Sequence, residues 1–103
     1  MNKQEKINAI KELMTAPNTA EKYYELLEKM DDLKTNYHTY ATTEPINCDK
    51  ELERVPNADY ELCTALLTMI LREDHFSNGS FEIRQEKGQV DAILNRMLET
   101  LSN

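Results

Sequence analysis

Between residues 60 and 72 the chain reads Tyr-Glu-Leu-Cys-Thr-Ala-Leu-Leu-Thr-Met-Ile-Leu-Arg. On a helical wheel at about 100° per residue, Leu62, Cys63, Ala65, Leu66, Leu67, Met69, Ile70 and Leu71 cover well over half of the circumference, and only Glu61, Thr64, Thr68 and Arg72 align as a polar strip. A helix apolar on most sides has to be surrounded. Residues 59–73 therefore predict a central buried helix, with Leu66 and Ile70 fully covered and Cys63 serving as a small buried hydrophobe. The apolar-dominated run from Leu62 to Leu71 is the longest in the chain, and about half of what a membrane span needs.

The flanking sequence supplies helices to surround it. Ile7, Ile10, Leu13 and Met14 recur at spacings of three and four, which marks an amphipathic first helix ending before Pro17. Asn18-Thr19-Ala20-Glu21 resembles a capping box that opens a second helix, whose buried stripe is Tyr23, Leu26, Leu27, Met30 and Leu33. Two helices joined by so short a link pack antiparallel. Beyond the central helix, Phe76 reads as an apolar anchor between the third and fifth helices. Ser77-Asn78-Gly79-Ser80 is a tight turn with Gly79 at positive φ, and Phe81 and Ile83 begin a short fourth helix closed by Gly88. Val90, Ile93, Leu94, Met97, Leu98 and Leu101 form the stripe of a fifth helix.

The expected architecture is all-α, a compact bundle of about four to five helices. Residues 1–103 read as one domain: a helical hairpin over 1–33, a long loop over 34–56, and a helix-turn-helix-helix core over 57–103. The loop is longer than an ordinary connection, and loops of that length are often functional or conceal an element. Tyr37, His38, Thr39, Tyr40, Thr42 and Thr43 favour a strand as a set, but no second strand is evident to pair with them. A short helical turn is expected from Asp49 through Arg54.

Charge narrows the function. The net charge is −7, divided as −1 over residues 1–34, −2 over 35–56 and −4 over 57–103. A field of this sign repels phosphate backbones and favours a basic partner surface. The opening residues lack the apolar core of a signal peptide, which makes a cytoplasmic location with free thiols the default expectation. Glycine-rich phosphate loops, a nucleophile elbow, a Cys-x-x-Cys pair and a His-Glu-x-x-His motif are all missing. His38, Cys48, Cys63 and His75 are all the histidines and cysteines present. Two of each would suffice for tetrahedral zinc, but their spacing fits no zinc-finger pattern.

The most ambiguous stretch is Arg72-Glu73-Asp74-His75, either a working site or only the end of a helix. Adjacent residues do not share one helix face, so they form no ready acid–base pair. Arg72 and His75 both have structural uses at a helix C-terminus. The run from Asn57 to Leu98, with "ADYELCTALLTMILREDHF", "NG", "F" and "KGQVDAILNRM" in order, resembles a small bacterial domain-of-unknown-function family (the 6508 domain of unknown function). The family's mark is a helix ending in Arg, then Phe, then Gly, matched here by Arg72, Phe76, Gly79 and Gly88. The resemblance implies a helical fold and brings no catalytic residues.

The reading that follows is a non-enzymatic, acidic protein-interaction domain without a cofactor. Its expected partner is a protein with a basic surface, not nucleic acid or membrane, and an inhibitor of a basic nucleic-acid-binding protein, in the manner of anti-CRISPR proteins, is its sharper form. Glu73, Asp74, Glu82 and Glu86, with Tyr37 and Tyr40 of the loop, are the expected contact residues. A zinc-stabilised version of the same domain is one alternative. A helix-turn-helix regulator is another, weakened because Arg84 and Lys87 in the fourth helix are offset by Glu82 and Glu86.

Overall fold

The computed structural model describes residues 1–102. Six α-helices follow in order: α1 (Lys3–Leu13), α2 (Ala20–Lys29), α3 (Cys48–Leu52), α4 (Tyr60–Phe76), α5 (Ser80–Glu86) and α6 (Gln89–Ser102), with 3-10 turns at Tyr37–Tyr40 and Val55–Asn57. The helix expected over 59–73 is α4, started by the Asp59 side chain accepting from the Leu62 amide. It is the hub, touched by α2, α3, α5, α6 and the first 3-10 turn. Leu66 and Ile70 are 3% and 0% exposed, as the wheel demanded.

The polar strip on α4 behaves differently from a solvated strip. Thr64 and Thr68 are both buried. The Thr68 hydroxyl donates to the Thr64 carbonyl at 2.8 Å and accepts from the Lys34 amide at 3.2 Å, while Lys34 Nζ pairs with Glu61 at 2.6 Å. The strip is thus the bed on which the long loop lies, and its two threonines satisfy their hydroxyls without water.

Neither a strand nor an irregular coil fills residues 34–56. The strand-favouring tyrosines and threonines form a 3-10 turn and a bend, held by one acid that periodicity does not reveal. Glu51 of α3 is 0% exposed. It accepts from the Thr42 amide (3.0 Å), the Thr43 amide (2.8 Å), both threonine hydroxyls and Arg54 Nη1 (2.9 Å). Arg54 also donates to the Tyr40 carbonyl at 2.7 Å. Burial by itself would raise the Glu51 pKa, but the bonds from Thr43, Arg54 and the two amides outweigh it and hold the carboxyl at about 2. The loop backbone finds its partner in this carboxylate, so a ladder strand is unnecessary. The short turn expected from Asp49 through Arg54 is α3, which begins one residue earlier and ends two residues earlier, and it accounts for the sixth helix.

The N-terminal hairpin is antiparallel. Lys6, early in α1, reaches Asp32, just past α2, at 2.8 Å, and Tyr60 at the start of α4 donates to the same carboxylate at 2.6 Å. Thr19, not Asn18, caps α2, and the Asn18 amide instead donates to the carbonyls of Leu13 and Ala16 behind it. Asp31 closes α2 at φ 61 while the Asp32 amide bonds back to the Leu27 carbonyl, a left-handed helix terminator that usually uses glycine. Of the expected α2 stripe, Tyr23, Leu26, Leu27 and Met30 are buried and Leu33 is half-buried.

Phe76 contradicts its expected place. It is 86% exposed, not packed between the third and fifth of the expected helices, now α4 and α6. Helix α4 runs on through Phe76, so that residue's direction is set by the helix and points away from the core. The chain then reverses at Gly79 (φ 93) and inserts Phe81, 1% exposed, against Tyr23 with ring centroids 5.4 Å apart. The aromatic anchor of this corner is Phe81. Gly79 does take the left-handed conformation expected of it, as does Gly88 (φ 80) between α5 and α6.

Candidate functional site

The Arg72–His75 segment lies in the last turns of α4, and its two acids have internal partners. Glu73 forms a two-pronged pair with Arg84 of α5, Nε to Oε1 at 2.6 Å and Nη2 to Oε2 at 2.8 Å. Arg84 is 9% exposed and also donates to Asp49 at 2.9 Å and Gln89 at 3.0 Å, so it ties α3, α4, α5 and α6 at one point. The Arg84 guanidinium holds the Glu73 and Asp49 carboxyls below their ordinary values. A planar fork facing a carboxylate is the geometry that makes such a pair strong. Asp74 accepts from the amides of Gly79 (3.2 Å) and Phe81 (3.1 Å) and so shapes the turn into α5. Arg72 is exposed and makes no ion pair among the described residues.

Asp74 and His75 nonetheless face something. With Leu71 they form one wall of an open groove of about 570 Å³, whose other wall is the outer face of α2: Ala20, Glu21, Tyr24, Glu25 and Glu28. Glu21, Glu25 and Glu28 follow at the four- and three-residue spacings that align side chains along one helix face. Tyr24 among these acids is half-buried and packed against the core, and Leu71 on the facing wall is 2% exposed. Lys22 lies 3.8 Å from Glu25, but both side chains are more than half exposed, so this contact neutralises little. The groove is an acidic trough.

The other expected site residues are scattered. Glu82 and Glu86 are exposed on α5. Tyr37 packs partly against the core, and Tyr40 is half-buried with its carbonyl bonded to Arg54. The four candidate zinc ligands do not assemble. Cys63 and His75 are both on α4, twelve residues and hence about 18 Å apart along its axis. His38 is in the first 3-10 turn and Cys48 starts α3. Among the described residues no three His, Cys, Asp or Glu side chains converge on a point that could hold a metal ion. Burial, with Glu73 beside it, pushes the Cys48 thiol up to about 11, and burial likewise pushes Cys63 up to about 11, so neither is an activated nucleophile at neutral pH.

Sequence reasoning placed the acidic surface in the C-terminal half and missed the part of it on α2. The signal was present, because Glu21, Glu25 and Glu28 repeat on one face, but those acids read as the ordinary wet side of an amphipathic helix until α4 is set beside them. Arg84 was also missed as a hub: an arginine among glutamates carries no sequence mark of burial.

Fold and surface together define an all-helical domain of net negative charge with an open, carboxylate-lined groove. The chain belongs to the family of unknown function DUF6508, whose family model matches residues 3–103. That match reaches well beyond the similarity over 57–98 and takes in the α1–α2 hairpin and the loop. No curated protein and no solved structure matches the chain. No helix among the described residues is long and apolar enough to cross a membrane.

Proposed function

We propose that the protein is a non-enzymatic interaction domain that docks a basic surface of another protein, with the groove between α2 and α4 as the contact. The observation that carries this reading is the trough itself: Glu21, Glu25, Glu28 and Asp74 border a concave surface. Complementary charge steers association and fixes register. The net charge of −7 acts in the same direction at long range. Burial holds both thiols protonated, so neither supplies a thiolate nucleophile at neutral pH. Inhibition of a basic nucleic-acid-binding protein is the sharper form of this proposal, since an acidic domain competes for the same positive surface as a phosphate backbone.

The test is recovery of the partner with the immobilised full chain at low salt, followed by kinetics on the purified pair. Reversal of Glu21, Glu25 and Glu28 to Lys is expected to slow association strongly and to flatten its salt dependence. Unchanged association after that reversal, with loss on reversal of Glu82 and Glu86 or on truncation of Tyr37 and Tyr40, would move the contact to α5 or the loop and refute the groove.

A further inference from the structure

We propose that Asn78 is a site of spontaneous deamidation through the Gly79 nitrogen, and that the Asp74 carboxylate holds this site closed while the corner between α4 and α5 stays folded. Asn78 is the only asparagine of the chain followed by glycine. The reaction requires the backbone nitrogen of the next residue to reach the side-chain carboxamide carbon, and a Cβ on that residue crowds the approach. Gly79 carries none, and nothing lies within 4 Å of where one would stand. Asn78 is exposed in the turn between the two helices, so its carboxamide is open to water.

The step balances with water as the only co-reactant. The Gly79 nitrogen gives up its proton and bonds to Cγ of Asn78, the carbon–nitrogen bond of the carboxamide breaks, and ammonia leaves with a proton from solvent. Hydrolysis of the resulting cyclic imide at either carbonyl yields aspartate, or its isomer with the main chain running through the side-chain carboxyl.

The nitrogen that has to attack is the one Asp74 engages: Oδ1 accepts from the Gly79 amide at 3.2 Å and from the Phe81 amide at 3.1 Å. An amide proton held by a carboxylate is harder to remove, because its loss sets a second negative charge beside the first. The Ser80 amide donates to the Ser77 carbonyl at 3.0 Å, so the backbone on both sides of Asn78 is tied into the turn. What is guarded is a one-way change. The imide leaves no hydrogen on the Gly79 nitrogen, so Asp74 loses that partner, and hydrolysis then adds a carboxylate to the corner.

The experiment incubates the full-length protein at neutral pH in water enriched in heavy oxygen and follows the peptide spanning Asn78 by mass spectrometry, since conversion leaves solvent oxygen there. In urea the site is expected to convert readily, at the same rate in wild type and Asp74→Ala. Folded wild type is expected to convert at least about tenfold more slowly, and folded Asp74→Ala about tenfold faster than folded wild type, the effect of releasing one charge-assisted bond. Asp74→Asn keeps an oxygen acceptor without the charge and is expected to fall between them. Leu66→Ala, destabilised earlier on α4, separates the carboxylate from stability and is expected to convert more slowly than Asp74→Ala. Asn57, exposed and followed by Ala58, is the internal reference and is expected to remain an amide. No heavy oxygen at Asn78 in urea, or conversion of Asn57 as fast as of Asn78, overturns the site. Folded wild type converting as fast as in urea, or Leu66→Ala converting as fast as Asp74→Ala, overturns the role of Asp74.

Discussion

Glu51 offers the sharpest check on how the loop is held. Replacing it by glutamine preserves volume and turns one carboxylate oxygen into an amino group. If that group takes the Oε2 position, it faces the amides of Thr42 and Thr43, two donors that cannot move without the backbone. If it takes the Oε1 position, it faces Arg54, whose side chain is 32% exposed and can turn toward water, and the Thr42 amide at 3.2 Å, which keeps its shorter 3.0 Å bond to Oε2. The second orientation costs less, and losing one charge-assisted bond there amounts to about 2 kcal/mol. Glu51→Ala removes the acceptor for both amides and for the guanidinium together, and breaking a buried pair this way costs about 3 to 5 kcal/mol. The pH dependence has a definite sign. The folded carboxyl lies at about 2 against an ordinary 4.5, so its contribution is fully present above about pH 4.5 and is lost as pH falls toward 2. Urea unfolding followed by circular dichroism at pH 7 and pH 3 measures both, and the wild-type minus Glu51→Gln difference separates this group from the other acids. A loss below about 0.5 kcal/mol for Glu51→Ala at pH 7, or a wild-type to Glu51→Gln gap that is the same at pH 7 and pH 3, would mean that the carboxylate does not organise the loop.

Leu66→Ala is expected to cost about 2 to 5 kcal/mol by urea unfolding, because it opens a cavity in the helix that α2, α3, α5, α6 and the first 3-10 turn touch. Gly79→Ala is expected to cost about 1 to 2 kcal/mol through backbone strain alone, since φ is 93 there and open space surrounds the site; an unchanged midpoint would mean the turn relaxes freely. Phe76→Ser is expected to change stability by less than about 0.5 kcal/mol, and a larger loss would put the ring in a packed environment after all. Alkylation by iodoacetamide at pH 8 is expected to be slow at Cys48 and slower at Cys63, whose thiol is also fully buried; rapid labelling of Cys48 in the folded protein would contradict the raised thiol pKa.

Hydrophobic spacing determined the central helix, the hairpin and the C-terminal stripe, because burial of Leu66, Ile70, Leu27 and Leu94 is written locally into which neighbours on a helix are apolar. Glycine at 79 and 88 marked its turns for an equally local reason, the absence of a Cβ. What lay beyond local pattern was every question of which surface meets which. Whether Thr64 and Thr68 face water or the loop depends on where residues 34–41 return. The fate of Phe76 depended on three further residues of α4, most of a turn, after which Phe81 became the anchor. Most of all, a charged residue looks the same in sequence whether it is buried, paired or free. Only the tertiary structure could turn Glu51 and Arg84 inward, commit Glu73 and Asp74 to the corner they were expected to expose, and set the acids of α2 opposite the end of α4, since each outcome is decided by charges brought together from distant segments.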